Sequence, residues 1–247
     1  MTRISNAASK ALLLIAITLT LGACAATGAD DGFANDPYEQ TNRDVHEFNR
    51  GVDTVVVRPA ARAYQEAVPG TVKLMVSNAL DMLDMPAIFV NRVLQGDPER
   101  ALAAAGRFGI NVVLGGGVLD PATEFGLPKE STDLGVTFAK WGVEEGPYVE
   151  LPLLGPATAR DAVGRVAEIA LDPFNFVTGV PALEAVGYAT LPLGVVDLRA
   201  DNLDAIDRVL YEAPDSYVAT RTGYLQLRRR QVEGGPTAES LPDVFSE

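Results

Sequence analysis

Two side chains with reactive potential at neutral pH occur once each in the 247-residue chain, Cys24 and His46. A thiol can serve as nucleophile, metal ligand, half of a disulfide or acylation site, and an imidazole as general base. A hydrolase needs an activated nucleophile with a base in reach. His46 sits between Val45 and Glu47 in a charged helical stretch, and no Gly-x-Ser-x-Gly elbow occurs. One histidine and one cysteine cannot complete a typical zinc site. The acidic residues are scattered, and the Asp-Pro pairs read as helix starts. Gly115-Gly116-Gly117 could suggest a phosphate loop, but no strand precedes it and no lysine follows in P-loop position. It reads as a flexible helix terminus that could act as a hinge. No catalytic constellation can be assembled, so the chain is read as a non-enzyme without cofactor or metal.

The setting of Cys24 gives that thiol a different use. A short cationic stretch with Arg3 and Lys10 precedes the apolar run Ala11 to Leu21, and the small pair Gly22-Ala23 leads into the cysteine. The run is too short to span a bilayer comfortably and has the form of a signal-peptide core. An ordinary secretory signal or an N-terminal anchor helix is the plain alternative. Leu21-Gly22-Ala23-Cys24 resembles a bacterial lipobox. That resemblance implies a signal peptide over residues 1–23, a diacylglyceryl group on the Cys24 sulfur and an acyl group on its freed amine. Two acyl chains at about 0.8 kcal/mol per buried methylene hold a protein durably where one is marginal. Ala25 and Ala26 follow the cysteine where an aspartate would favour the inner membrane, which points to the periplasmic face of the outer membrane. No thiol is then left for a disulfide, a metal or a nucleophile.

Residues 24–34 form a lipidated tether of small and polar character, residues 35–233 a domain, and residues 234–247 a flexible acidic tail. Without the signal, the 224 residues from Cys24 to Glu247 suffice for one sizeable core. The net charge of −13 argues against nucleic acid, which needs a basic face, and against an electrostatic grip on anionic headgroups. With 47% hydrophobic residues, any lipid contact must be mostly apolar.

The domain reads as helical throughout. Asp36-Pro37-Tyr38-Glu39 has the form of a capping box, and Val45, Phe48, Val52, Val55 and Val56 follow at helical spacing. Breaks are expected at Arg58-Pro59 and Pro69-Gly70. Val72 to Leu94 reads as an apolar helix pair interrupted at Met85-Pro86, suited to a buried hairpin or to the edge of a bilayer. Asp97-Pro98-Glu99 opens the next helix, whose Ala101, Ala105 and Gly109 allow close approach. Ser131 or Thr132 starts a short helix through Trp141. Gly146 to Pro156 is extended, bounded by proline, and unfit for a central strand. A helix ending at Asp172-Pro173 comes next, then an apolar segment from Phe174 to Val196 without a clear assignment. Leu203, Ile206, Val209 and Leu210 make an amphipathic face, and a last helix runs from about Asp215 to Val232. The expected fold is mainly α, a single compact multi-helix domain.

These strings together resemble the VacJ/MlaA lipoproteins. Asn35-Asp36-Pro37-Tyr38-Glu39 with Asn42-Arg43 and Phe48-Asn49 is similar to the opening of their mature chains. Leu94-Gln95-Gly96-Asp97, Arg107-Phe108-Gly109-Ile110-Asn111, and Asp133-Leu134-Gly135 through Trp141-Gly142-Val143 to Gly146-Pro147-Tyr148 match as well. So does Leu151-Pro152-Leu153-Leu154-Gly155-Pro156 with Arg160-Asp161. Thr41 and His46 depart from positions usually aromatic in the family, and the likeness loosens beyond Phe176. The resemblance implies a ring-like helical lipoprotein embedded in the inner leaflet of the outer membrane and bound to a trimeric porin. Through it phospholipid mislocalised to the outer leaflet passes to a periplasmic lipid-binding carrier. The resemblance also places channel control at Phe48 and Asn49, where the plain alternative is a core phenylalanine beside a polar helix-face asparagine. The Gly115–Gly117 turn would move a channel wall. A lipoprotein scaffold that braces a porin without transporting lipid would share the same anchor and helices.

The anchor reading carries a direct test. Cys24→Ala or Cys24→Ser should release the protein from the outer-membrane fraction or leave it unprocessed, read by fractionation and precursor size. A processed variant still held firmly in that fraction would defeat the lipobox assignment.

Overall fold

Capping side chains set four of the helix starts among the described residues. In the computed structural model, which describes residues 36–172 and 179–234, Asp97, Asp133, Thr158 and Asp215 each accept a hydrogen bond from the backbone N–H three residues on. The fold that follows is α1 (Glu39–Val52), a π-turn (Asp53–Val57), α2 (Arg58–Ala67), α3 (Gly70–Leu94), α4 (Pro98–Val113) and a short α5 (Pro121–Glu124). Next come α6 (Leu134–Lys140), the strands β1 (Tyr148–Leu151) and β2 (Gly155–Thr158), and α7 (Ala159–Leu171). The chain closes with α8 (Pro181–Asp201), α9 (Leu203–Asp207), a second π-turn (Arg208–Glu212) and α10 (Ser216–Val232). The mainly α, single-domain expectation holds. The signal segment 1–23, Cys24 with the tether to residue 34, and the tail from residue 235 lie outside the described residues.

Several local expectations need correction. Asp36 does not cap α1; Tyr38 occupies the N-cap without a side-chain bond, and the Asp36 carboxylate instead takes Asn42 Nδ2 at 2.8 Å and Arg221 Nη1 at 2.6 Å. Arg58-Pro59 is no break. Pro59 has no N–H to offer Val55, and the helix passes it by widening into the π-turn, where the Arg58 N–H reaches back to Asp53 O. Pro86 likewise fails to divide α3, which runs for 25 residues as one helix. A mid-helix proline costs about 3 kcal/mol, and here Met85 and Ile88 on either side are buried against Ala104, which offsets it. Asp133, rather than Ser131 or Thr132, caps α6, with its Oδ1 2.8 Å from Val136 N. The extended segment proves to be an antiparallel hairpin, β1 pairing β2 from Tyr148↔Thr158 to Leu151↔Gly155. The segment left unassigned contributes α8, which opens at Pro181 and runs through Pro192.

The elements close on themselves. α2 packs on α8, α8 on α3, α3 on α6, α6 on α7, α7 on the hairpin, and the hairpin on α1, which continues through the first π-turn into α2. Apolar packing contributes little to this circuit. Buried polar and charged side chains outnumber buried apolar ones among the described residues, and the apolar clusters are Met85/Ile88/Ala104 and Tyr148/Tyr217/Leu225. Ion pairs join the elements instead. Arg199 spans Asp53 (Nε–Oδ1 2.9 Å) and Asp207, and Asp207 also takes Arg58 at 2.5 Å and Arg62 at 3.1 Å. Arg228 of α10 holds Asp133 at 2.7 Å and Asp161 at 2.9 Å. Arg107 holds Asp120 at 2.9 Å. Burial by itself would raise these carboxyls. Arg228, Tyr224 and Arg160 nevertheless bring Asp161 down to about 2, and Arg58 and Arg199 do the same for Asp207.

The outward faces are apolar. α3 exposes Leu74, Val90 and Val93 while burying Asn78, Asn91 and Arg92; α4 exposes Leu102, Val112 and Val113 while burying Arg107 and Asn111. On α8, Asp197 and Arg199 are buried and Leu191 and Leu198 exposed. No helix among the described residues is long and apolar enough to cross a membrane.

A Cβ on Gly164 would stand 2.6 Å from Gly135 N, where α7 meets the start of α6 beneath Arg228. Gly164→Ala should therefore cost about 1–3 kcal/mol as overpacking, read from urea unfolding of the detergent-solubilised protein. Asp84 reaches solvent, yet the protein crowding its carboxyl, aided by Asp81 and Asp172, pushes it up to about 6. Its folded-state value thus lies above the unfolded one, so stability is greatest with Asp84 protonated and falls as pH rises through about 6. Asp84→Asn should raise the thermal midpoint at pH 8 and leave it unchanged at pH 4; an equal shift at both values would rule this out.

Candidate functional site

The residues in question lie where α1, the hairpin and α10 meet. Asn42, His46, Asn49 and Asp53 recur at i, i+4, i+7 and i+11, so they form one stripe along the helix. This polar stripe faces inward: Asn42 and His46 are 3% exposed and Asp53 9%. The apolar stripe of the same helix faces outward, with Phe48 54%, Val55 75% and Val56 58% exposed. Phe48 is therefore not a core anchor. Asn49 is not an idle helix-face group, and its side chain turns toward the hairpin.

β1 has a single partner strand, so backbone groups on its outer edge need other partners. The α1 asparagines supply them. Asn42 Nδ2 donates to Tyr148 O at 3.1 Å, and Glu150 N donates to Asn42 Oδ1 at 2.9 Å. Two helical turns later Asn49 Nδ2 donates to Leu151 O at 3.0 Å, and Leu153 N donates to Asn49 Oδ1 at 2.7 Å. Each carboxamide thus replaces a strand's paired C=O and N–H. Leu153 lies in the turn with φ +64°, the left-handed region that non-glycine residues occupy at a cost.

Between the two asparagines sits His46. Its Nδ1 is 3.4 Å from Glu150 Oε1 and its Nε2 3.0 Å from Ser216 Oγ, with the ring edge-on to Tyr217. Tyr148 donates its hydroxyl to the other Glu150 oxygen. Tyr217 donates to Asp36, and burial with that carboxylate raises the phenol. Arg43 stacks over the Tyr217 ring at 4.5 Å and pairs with Asp215 at 3.0 Å. The histidine that sequence alone places in a charged helix face is thus an internal joint of three elements. Its spacing from Asn42 and Asn49 was the available signal, outweighed by the neighbouring valines.

Gly115–Gly117 terminates α4 as expected, and sterics account for the glycines. A Cβ on Gly115 would lie 2.5 Å from Leu119 O, while Gly116 and Gly117 have φ of +61° and +77°. The following segment is pinned along its length. Asn78 Nδ2 donates to Val118 O at 3.3 Å, Arg107 donates to Leu127 O and holds Asp120, and Lys129 pairs with Asp81 at 2.6 Å. Thr123, Asn111 and Arg107 hold the Asp120 carboxyl at about 2 against the opposing effect of burial. Among the described residues no group of three or more His, Cys, Asp or Glu could hold a metal ion. Cys24 lies outside the described residues.

Comparison with known proteins shows the family. The family profile described as MlaA lipoprotein matches residues 34–231. The "Intermembrane phospholipid transport system lipoprotein MlaA" of Shigella flexneri is 34% identical over 247 residues, covering 95% of this chain and 96% of its own. The Haemophilus influenzae protein of the same name is 34% identical over 220 residues, 85% of each chain. A solved structure described as "Structural basis for maintenance of bacterial outer membrane lipid asymmetry" aligns with a TM-score of 0.67 at 32% identity, covering 80% of this chain and 98% of its own. The chain belongs to the MlaA lipoprotein family.

Proposed function

We propose that this protein removes phospholipids mislocalised to the outer leaflet of the outer membrane and passes them to a periplasmic lipid-binding carrier. A diacylglyceryl and N-acyl lipid on Cys24 anchors it, the domain lies in the inner leaflet, and a trimeric porin is its membrane partner. The observation that carries this reading is the reversed polarity of the helices, with carboxylates, guanidiniums and carboxamides inside and Leu, Val and Phe outside. Exposed apolar area on this scale belongs against lipid or another protein. A polar interior within such a shell suits a headgroup, while acyl chains stay with the apolar parts. The names of the Shigella flexneri and Haemophilus influenzae relatives support the same function. Phospholipid handling of this kind needs no catalytic residue and no cofactor. Phe48 and Asn49 are assigned to channel control, and Gly115–Gly117 to the hinge of a wall segment whose motion would require releasing Lys129 from Asp81.

The test is outer-leaflet phospholipid in intact cells. A strain lacking the chain should accumulate it, and a normal copy should clear it. Deleting Phe48 and Asn49 turns everything downstream by about 200° relative to α1, and that protein should leak phospholipid outward even beside a normal copy. Full rescue by the normal copy, with the deleted form at normal abundance, would defeat the assignment of control to these residues and favour a bracing scaffold.

A further inference from the structure

We propose that Asn49 is a positioning residue for lipid passage that acts through the β-hairpin turn, holding Leu153 in its left-handed conformation and so fixing the register of α1 against β1. The role rests on the transport reading above. It is argued from the pairing along the outer edge of β1.

Asn42 and Asn49 make the same two-sided bond to that edge, seven residues apart, one at its beginning and one at its turn. Two such clamps fix both the height and the rotation of the helix, because a slip by one residue would present carboxamides to the wrong backbone groups. The clamps are not equivalent. Asn42 is buried, also bonds Asp36, and joins regular strand. Asn49 is half-buried, sits beside exposed Phe48, and joins a turn. Leu153 is the one non-glycine residue with positive φ among the described residues, and it is 66% exposed. Strain of this kind persists only where surrounding contacts over-determine it. Arg165 Nη1 donates to Leu154 O at 2.7 Å on the far side of the turn, and the contact made to Leu153 itself is its N–H to Asn49 Oδ1, backed by Asn49 Nδ2 on Leu151 O and at 3.5 Å from Glu150 Oε1. Losing Asn49 therefore frees the turn to relax and unfastens the end of α1 nearest the first π-turn. Asp53, where that turn begins, leads into the Arg199 and Asp207 network. A released register would be felt along the wall built from α1, α2 and α8.

The full-length lipidated protein is examined as Asn49→Ala and as Asn49→Ala with Leu153→Gly, beside the normal protein and a strain lacking the chain. Backbone amide exchange over residues 151–154 is followed in detergent, and outer-leaflet phospholipid in cells that also carry a normal copy. Asn49→Ala should exchange the Leu153 amide about tenfold faster, the scale of one lost hydrogen bond. It should also leak phospholipid at normal abundance despite the normal copy. Glycine accepts the left-handed turn freely, so the added Leu153→Gly should return the phospholipid level most of the way to normal. Unchanged exchange at Leu153 would overturn the proposal, as would a leak that the glycine leaves untouched. A fall in abundance cured by the normal copy would also overturn it by reducing Asn49 to a folding role. Fast exchange without leak, in cells where loss of the chain does raise outer-leaflet phospholipid, defeats this role alone. Unchanged phospholipid in the strain lacking the chain defeats the transport reading itself.

Discussion

Asp207 is the point on which the architecture turns. Its carboxylate receives Arg58 and Arg62 from α2 and Arg199 from α8, while Arg199 also reaches Asp53 in the first π-turn and Tyr211 donates to the same aspartate at 2.6 Å. Arg58 lies over the Tyr211 ring at 4.4 Å. Buried pairs of this kind add little net stability compared with well-packed apolar residues, but removing one partner strands a charge and is strongly unfavourable. Their contribution is to specificity. The two π-turns meet at this network through Thr54 and Tyr211 at 3.1 Å, so each irregularity is held where a charge requires it. Without the widened turn after Asp53, Arg58 and Arg62 would be rotated about the helix axis relative to Asp53, away from the carboxylate they share with Arg199.

The reversed helices and the ion-pair network are two aspects of one constraint. Once the outward faces are apolar, the inward faces must carry the polar residues that the helices contain, and every one of them needs a partner. Asn91 shows how closely this is met: its Nδ2 lies 3.1 Å from Ala87 O and its Oδ1 takes the Thr137 hydroxyl at 2.7 Å. Gln95 adds Thr132 and Thr137 at 2.7 and 2.9 Å. The end of α3 is thereby joined to α6 and the segment before it by polar bonds, and Trp141 completes the joint by donating its indole N–H to Leu94 O at 2.9 Å while 56% exposed.

Local signals read well from sequence, and directional ones did not. The cap at Asp97, the end of α4 at the glycine triplet and the span of α10 depend on residues within a turn of each other. A capping pattern cannot show that the Asp36 carboxylate serves Arg221 and Tyr217, far along the chain. Pro59 and Pro86 look like breaks in sequence because proline's local cost is certain, while the compensating π-turn and the Met85/Ile88 packing come from tertiary structure. The direction of α1 was the larger difference. Valines and asparagines both recur at helical spacing there, and periodicity defines two faces without telling which is inside; that depends on the solvent, which is lipid-like on one side in the proposed setting. The hairpin escaped because its strands are four residues each, and Pro156 interrupts the alternation.

A wall that must enclose a passage cannot depend on apolar packing. Hydrophobic contacts are non-directional and favour whatever arrangement removes most area, so an apolar lining would collapse or accept stray acyl chains. Hydrogen bonds and ion pairs have required distances and angles, and they stop elements from approaching further once made. The asparagine bonds along β1, the Arg228 bridge between α6, α7 and α10, and the Asp207 network each act as such a spacer at a different part of the circuit. Apolar residues are then free to serve the outer face. On this reasoning the scarcity of fully buried apolar residues suits the proposed passage, and the polar stripe of α1 does more to orient that helix than the conspicuous valines beside it.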